Sequence, residues 1–218
     1  HTMTWLAPGG GVDREVYLLI DDLKDEYDFH FAVGHDIHEN HFNEIKGLPV
    51  FICPYLERTL KPWKDFKSLF YFYRLIKREK YDIVHTHETK ASLISRVAAW
   101  MAGCPRIIYG LHGVAFNDPL SKARRKIYIL LEKMTLWMCD SIVSVSENAL
   151  QIYHDNGLAK NINSIVAYSG IDTDLFLKSK PSAEVRDAKR KELGFSKEDM
   201  VIVNVGRFSY SKAQRYTI

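Results

Sequence analysis

The sequence predicts an α/β fold, in which a doubly wound, Rossmann-like domain is built around a parallel sheet. Short apolar runs alternate with longer amphipathic segments, and this alternation is typical of parallel strands joined by covering helices. Several of the short runs are apolar on both faces, as strands buried in a parallel sheet must be. Seven runs fit strands, at residues 2–6, 29–34, 50–52, 82–87, 106–111, 141–145 and 162–167.

Amphipathic segments between these runs are predicted to be helices. They lie at residues 13–25, 64–80, 90–102, 122–138 and 147–156. Gly103 and Gly157 directly follow the third and the fifth of them. Glycine is favoured there because the residue that ends a helix often adopts a left-handed conformation. Together these strands and helices predict one amino-terminal domain over residues 1–168.

The segment after residue 168 has a different pattern. Residues 169–180 combine a polar turn with a basic stretch, which predicts an interdomain linker. Residues 181–218 predict the truncated start of a second Rossmann-like domain, with a short charged helix and a strand over Met200–Val205. The valines of that strand need sheet partners that the sequence does not contain. Residues 1–6 resemble the tail of a strand whose beginning is cut away, so we expect a truncated enzyme.

Composition excludes several classes of protein. The 218 residues are 46% hydrophobic and 26% charged, and the net charge of +3 is too balanced for a dedicated nucleic-acid binder. Cys53, Cys104 and Cys139 are an odd number without a CxxC spacing, so neither a disulfide framework nor a structural zinc site is predicted. A reducing cytosol is the simplest location. No apolar stretch approaches the length that spans a bilayer.

Residues at the ends of the predicted strands form the candidate site, because ligands of open α/β sheets bind beyond the carboxyl ends of the strands. The loop Pro8–Gly11 follows the first strand and opens a helix, where bare N–H groups can face a phosphate. Its spacing is not that of a dinucleotide-binding loop. A flexible turn without a ligand is the alternative, and the position of the loop favours contact with an anion or a sugar.

Histidines end the fourth and fifth predicted strands. His85 and His87 alternate along the fourth, so they point to the same face, and Glu88 follows them. A metal site needs a third ligand, and the sequence offers none in a recognised spacing, so a hydrogen-bonding role near the cleft is favoured. His112 ends the fifth strand with Gly113 behind it. Its position favours a functional role over a structural one.

Ser146 begins a helix directly after the sixth strand. It is a natural N-cap followed by an acidic residue, so capping explains it without a ligand. The glycines of a nucleophile elbow are absent, and Ser146 is not predicted to be a nucleophile. Together with Asp13, His85, His87 and Glu88, it is a candidate contact to an acceptor or a sugar.

A set of motifs occurs in the order seen in one enzyme family. The motifs are Tyr81–His87 with Lys90–Ser92, Leu111–Gly113, Ser144–Glu147, Tyr168–Asp172 with Phe176, and Val205–Arg207 with Lys212. In their order and spacing the chain resembles the retaining family-4 glycosyltransferases of GT-B fold, over essentially its whole length. It departs from their pattern at Ser169, where the family usually has asparagine. The paired glutamates of the family's second domain would lie beyond Ile218.

The resemblance implies transfer of a sugar from a nucleotide diphosphate sugar to an acceptor, with retained anomeric configuration, no cofactor and no obligatory metal. Arg207 and Lys212 match the cations that hold the diphosphate, and Gly10 and Gly11 match the loop that approaches it from the other side. His112 matches the histidine that contacts the transferred sugar and is the predicted catalytic residue. Fixed cations and N–H donors suit this reaction because charge develops on the departing diphosphate. The chain alone is expected to be inactive.

Two predicted helix surfaces are relevant to where the acceptor is located. The basic run Lys122–Lys126 continues into apolar residues, and Phe70–Tyr73 lie beside three cations. Such faces are either solvated cations over core-facing aromatics or contacts to an anionic membrane. We expect a cytoplasmic enzyme, peripheral on the inner face of the cell membrane, that uses a glycan or lipid-linked acceptor in cell-surface polysaccharide or glycolipid assembly. A GT-B sugar-nucleotide epimerase and a non-catalytic sugar- or lipid-binding module are the alternatives.

Overall fold

The computed structural model describes residues 1–6, 11–35, 47–117, 120–206, 208, 212 and 214–216. Its strands are β1 Thr2–Met3, β2 Phe31–Gly34, β3 Val50–Cys53, β4 Ile83–His87, β5 Arg106–Leu111, β6 Ser141–Ser144 and β7 Asn163–Val166. They form one sheet in the order β3-β2-β1-β4-β5-β6-β7, and every pairing is parallel. The chain thus runs outwards from β1 to β3 and then from β4 to β7. This topology confirms the predicted doubly wound α/β sheet.

The described helices are α1 Gly11–Leu23, α2 Pro62–Glu79, α3 Thr89–Ala102, α4 Lys122–Leu136, α5 Glu147–Asp155, α6 Thr173–Lys178 and α7 Ala183–Glu192. The side chains of Ser121 and Ser146 accept hydrogen bonds from the first turns of α4 and α5. Gly103 ends α3 in a left-handed conformation, with φ of 75°. Because such caps are local, the sequence located the first five helices closely.

Alternation along the strands divides the side chains of the sheet between two cores. On one face Val84, Ile107 and Ile142 pack into a core with α2, α3, α4 and α5. On the other face Phe31, with its neighbours on β1 and β2, packs against α1. Ile165, on this second face, is 54% exposed. The second face is therefore well covered over β1 and β2 and more open towards β7.

A buried ion pair ties α3 to α4. Arg96 Nη2 lies 2.7 Å from Glu132 Oε2, and their side chains are 0% and 1% exposed. The guanidinium carbon of Arg96 also lies 4.4 Å from the ring centroid of Tyr109 on β5. Removing one partner of such a pair costs about 3–5 kcal/mol, because the other charge is left buried alone.

The chain divides into two compact units, His1–Gly170 and Ile171–Ile218. The predicted interdomain linker, residues 169–180, contains helix α6. Asp172 starts this helix by accepting a hydrogen bond from the backbone N–H of Leu175 at 2.9 Å. The predicted bounds of the linker and of the two domains stay predictions.

The predicted strand over Met200–Val205 is also wrong. Residues 201–205 have no regular secondary structure, and Met200, Val203 and Val205 are 90%, 75% and 91% exposed. The reason is that a strand needs neighbours, and the described residues of this unit place none beside it. Among all described residues, no helix combines the length and the hydropathy that crossing a membrane requires.

Candidate functional site

Histidines from separate parts of the chain meet at the centre of the sheet. His1 precedes β1, His85 and His87 lie on β4, and His112 follows β5. These strands are neighbours in the sheet. The ring centroids of His85 and His87 are 4.1 Å apart, and those of His87 and His112 are 5.0 Å apart. The structure thus brings the three predicted histidines together and adds His1, which the sequence analysis missed.

Close polar contacts link three of these rings to a carboxylate. His1 Nδ1 lies 2.8 Å from His87 Nε2, and His87 Nδ1 lies 2.8 Å from His112 Nε2. His112 Nδ1 lies 3.5 Å from Oε2 of Glu15 on α1. Because a carboxylate only accepts, the proton of neutral His112 belongs on Nδ1. Each preceding ring then donates from Nδ1 to the next Nε2, so the series runs in one direction and ends at Glu15.

Glu15 is also held by the segment that follows β7. The hydroxyl of Ser169 donates to Glu15 Oε2 at 2.7 Å. Burial acts to raise the pKa of Glu15, but the hydrogen bonds from His112 and Ser169 outweigh it and leave the pKa below its usual value. Glu15 is therefore ionised at neutral pH, and it orients the imidazole of His112.

The two histidines of β4 are neutral at physiological pH. Burial, with a smaller contribution from His112, lowers the pKa of His85 to about 3. Burial, and then the charges of His85 and His112, lower the pKa of His87 well below its ordinary value. His85 Nε2 is shut off from solvent and has no hydrogen-bond partner among the described residues. These rings are hydrogen-bonding groups and not cations for a phosphate.

Gly110 on β5 leaves the space that the rings occupy. A Cβ at this position would lie 2.7 Å from His87 Nδ1, 2.9 Å from His112 Nε2 and 3.2 Å from His85 Nε2. Non-bonded heavy atoms without a hydrogen bond prefer separations of about 3.5–4.0 Å. Any side chain here would force the rings to move, so the network requires glycine.

Three of the imidazoles have the ligand type of a transition-metal site. One nitrogen from each of His1, His85 and His87 lies within 4.8 Å of the others. The third ligand that the sequence seemed to lack is thus His1, and neutral imidazole is the form that binds zinc-like ions. However, His1 and His87 already form a hydrogen bond of 2.8 Å, which an ion between them would replace. The geometry therefore fits a hydrogen-bonded network better than a metal centre.

Glu88 holds the segment after β1. Its Oε2 accepts from the backbone N–H of Thr4 at 2.7 Å, and its Oε1 accepts from Trp5 Nε1 at 2.9 Å. Its φ of 59° and ψ of 159° lie in a region that is nearly restricted to glycine, at a cost of about 1–3 kcal/mol. Strain of this kind concentrates at functional sites. Glu88 is thus a functional candidate that acts by positioning Trp5.

Ser146 and Asp13 each lie at the start of a helix. Ser146 caps α5 by accepting from the backbone N–H of Ala149 at 3.2 Å. Asp13 is buried in the first turn of α1. The predicted contacts of both residues to acceptor or sugar stay predictions.

The predicted diphosphate contacts are only partly described. Gly11 opens α1, and an added Cβ there would meet no atom within 4 Å. Gly10 and Arg207 lie outside the described residues, and Lys212 is exposed in the second unit. Their shared role stays a prediction.

A cavity of about 1030 Å³ borders the network. Its lining includes His1, Glu15, His85 and His87, and it continues along the open face of the sheet to Ile165. This volume is at the upper end of the range for small-molecule sites, roughly 300–1,000 Å³. The polar end of the cavity is the part that the histidines and Glu15 line.

The sequence analysis missed Glu15, Gly110 and Ser169 as site residues. Glu15 lies one helical turn after Gly11, so an acid at that spacing behind a glycine loop was the available signal. Gly110 lies inside a strand, where glycine often marks close approach of another group. Ser169 stands out in the sequence only as a departure from the family pattern.

The parallel sheet and its covering helices define a Rossmann-like domain, and comparison with known proteins identifies its family. The sequence profile of Glycosyltransferase Family 4 matches residues 9–175. The UDP-Gal:alpha-D-GlcNAc-diphosphoundecaprenol alpha-1,3-galactosyltransferase of Escherichia coli is 32% identical over 166 residues, which are 76% of this chain and 42% of that protein. The chain therefore belongs to Glycosyltransferase Family 4, as its motifs predicted.

Solved structures show the same fold. Anabaena Alr3699/HepE in complex with UDP and glucose superposes with a TM-score of 0.63 at 17% identity, over 88% of this chain and 49% of that one. A UDP-N-acetylglucosamine 2-epimerase from Rickettsia bellii gives a TM-score of 0.55 at 14% identity, over 89% and 51%. The chain spans about half the length of these proteins.

Proposed function

We propose that the complete protein is a retaining glycosyltransferase. It moves a sugar from a nucleotide diphosphate sugar to a lipid-linked acceptor in the assembly of a cell-surface polysaccharide or glycolipid. The family match over residues 9–175 carries this proposal. The E. coli relative, whose name specifies UDP-Gal and a diphosphoundecaprenol acceptor, supports the choice of substrates.

His112 is the proposed contact to the transferred sugar. Its Nε2 is 2.8 Å from His87 Nδ1, whereas its Nδ1 is 3.5 Å from Glu15 Oε2. The Nδ1 side is therefore held more loosely, and a sugar hydroxyl can replace or bridge the Glu15 contact while the shorter bond stays intact. Glu15 acts as a positioning residue, because it keeps the proton of His112 on Nδ1.

The second unit is proposed to stabilise the negative charge that develops on the leaving diphosphate. Arg207 and Lys212 supply permanent cations, and the N–H groups of Gly10 and Gly11 supply further donors. With this arrangement the reaction needs no cofactor and no obligatory metal, so transfer is expected to continue in EDTA. Alanine at either cation is expected to depress transfer more than acceptor binding, because the contact strengthens as charge develops.

The test is transfer by the complete protein from UDP-galactose to a sugar-diphospholipid, with the anomeric configuration of the product read by NMR. His112→Ala is expected to lower turnover by more than about tenfold. His154→Ala, a histidine change on α5 away from the network, is the matched control. A folded His112→Ala enzyme with near-normal turnover, or an inverted product, would contradict the proposal.

A sugar-nucleotide epimerase is the second candidate. The likeness to the R. bellii 2-epimerase, with a TM-score of 0.55, favours it. Incubation of the complete protein with UDP-N-acetylglucosamine and no acceptor separates the two functions. Conversion to a second UDP-sugar would indicate the epimerase, and acceptor-dependent release of UDP would indicate the transferase. A non-catalytic sugar- or lipid-binding module would give neither product.

Peripheral contact with the inner face of an anionic membrane is proposed for α4. Ile127, Leu130, Met134 and Trp137 follow helical spacing and are each more than half exposed. The basic run Lys122–Lys126 opens the same helix. Cations near anionic headgroups contribute about 1 kcal/mol each. Sedimentation with anionic vesicles tests the contact, and Leu130→Ser is expected to reduce it.

A further inference from the structure

A groove distinct from the histidine network opens between α2, α3 and α4. It encloses about 630 Å³, within the range of roughly 300–1,000 Å³ for small-molecule sites. Helix α3 packs against both α2 and α4 and forms its floor. The floor and walls are largely apolar, with Phe66 and Leu69 from α2, Leu93 and Val97 from α3, and Leu131 from α4.

The mouth of the groove lies beside the carboxyl ends of β1 and β4, at the edge of the sheet where ligands bind. Trp5, Arg58, Glu88 and Lys90 line it, and both carboxylate oxygens of Glu88 are taken up by hydrogen bonds from Thr4 and Trp5. The guanidinium carbon of Arg58 stacks 4.2 Å from the ring centroid of Trp5, and no carboxylate among the described residues pairs with it. Lys90, in contrast, is paired with Asp65 at 2.6 Å. Arg58 is therefore the cation at the mouth that an anionic ligand can use.

The rim of the groove continues as exposed apolar surface. On α2, Trp63, Phe66 and Phe70 lie on one face and are 69%, 51% and 39% exposed. Their successive ring centroids are 6.1 and 4.9 Å apart. Contiguous apolar surface of this kind marks a site of interaction with another apolar molecule. Phe72, on the opposite side of the helix, is fully buried.

We propose that this groove binds the first isoprene units of a polyprenyl diphosphate, with the diphosphate at Arg58. The proposal rests on the proposed function, because it assigns a site to the lipid part of the acceptor. An apolar chain with one anionic end matches the order of surfaces along the groove: a cation at the mouth, an apolar channel, and an exposed aromatic rim. A peptide matches less well, since its amide groups need hydrogen-bond partners that an apolar lining does not offer.

Farnesyl diphosphate is the probe for the groove, and tryptophan fluorescence of this chain follows its binding because Trp5 lines the mouth. Val97→Asp places a charge on the floor and is expected to weaken binding by at least about tenfold. Val97→Trp fills the channel without adding a charge and is expected to have the same effect. Met101→Ser, on α3 outside the lining, is the control and is expected to bind like the parent chain. Circular dichroism verifies that each variant is folded.

The polar end is tested with Arg58→Gln, which is expected to weaken farnesyl diphosphate binding about tenfold and to leave farnesol binding unchanged. Anionic vesicles separate the groove from general membrane contact, since Val97→Asp is expected to keep its vesicle binding. If both folded Val97 variants bind farnesyl diphosphate with unchanged affinity, the proposal that the groove binds the lipid is wrong. The proposed function is tested separately, by transfer from the complete protein to a water-soluble, short-tailed acceptor. Groove-dependent binding without such transfer would overturn the proposed function alone.

Discussion

Gly110→Ala is the sharpest test of the histidine network, because the new Cβ would lie 2.7 Å from His87 Nδ1 and 2.9 Å from His112 Nε2. To reach ordinary contact distances the rings must retreat by roughly 0.5–1 Å. Their mutual hydrogen bond of 2.8 Å then lengthens beyond a useful range. The lost bond costs about 1 kcal/mol, and overpacking adds about 1–3 kcal/mol.

Alanine also lowers the conformational entropy of the unfolded chain, which raises the free energy of unfolding by about 0.4–1 kcal/mol. The net loss in the free energy of unfolding is therefore about 1–3 kcal/mol. For a unit of this size that corresponds to a fall in Tm of about 2–12 °C. Urea and thermal denaturation of this chain measure the effect. Gly113→Ala is the matched control, since a Cβ at Gly113 meets no atom within 4 Å. Equal stability of the two variants would refute the steric argument.

Further predictions concern buried charge and protonation. Glu132→Ala is expected to lose about 3–5 kcal/mol in urea denaturation, whereas Arg96→Met with Glu132→Leu is expected to recover most of it. The pKa of His85 is about 3 in the folded chain, against an ordinary value of 6.5. Above pH 6.5 His85 is neutral in both the folded and the unfolded chain and does not lower the free energy of unfolding. As pH falls from 6.5 towards 3, only the unfolded chain takes up the proton, so the free energy of unfolding falls by up to about 1.4 kcal/mol per pH unit. His85→Gln is expected to reduce this dependence of the free energy of unfolding on pH. In the complete protein, Glu15→Leu is expected to lower turnover less than His112→Ala, because His112 then loses the acceptor of its Nδ1 proton.

Local signals explain which parts of the fold the sequence predicted. Serine caps such as Ser121 and Ser146, and the glycine that ends α3, are recognisable without knowledge of the fold. The segment Met200–Val205 shows the limit of such signals. Its apolar pattern fits a strand, but a strand forms only where neighbours pair with it, and that condition is not local.

Some residues of the candidate site could likewise be predicted from the sequence, whereas others are brought together only by the fold. The rule that ligands bind at strand ends placed His87 and His112 together, because β4 and β5 are adjacent in the sheet. Glu15 and Ser169 come from distant parts of the chain, and only folding brings Glu15 to His112 and Ser169 to Glu15. Gly110 is required by three rings that meet only in the folded sheet.

The end of β4 lies between the histidine network and the groove. His87, the last residue of β4, belongs to the network on the α1 face. Glu88, the next residue, accepts a hydrogen bond from Trp5 Nε1, and the guanidinium of Arg58 stacks on the ring of Trp5 at the mouth of the groove. A single peptide unit therefore separates the anchors of the two sites. The strained backbone of Glu88 persists because its carboxylate makes two hydrogen bonds, and these bonds place Trp5, on which Arg58 stacks, next to the end of β4.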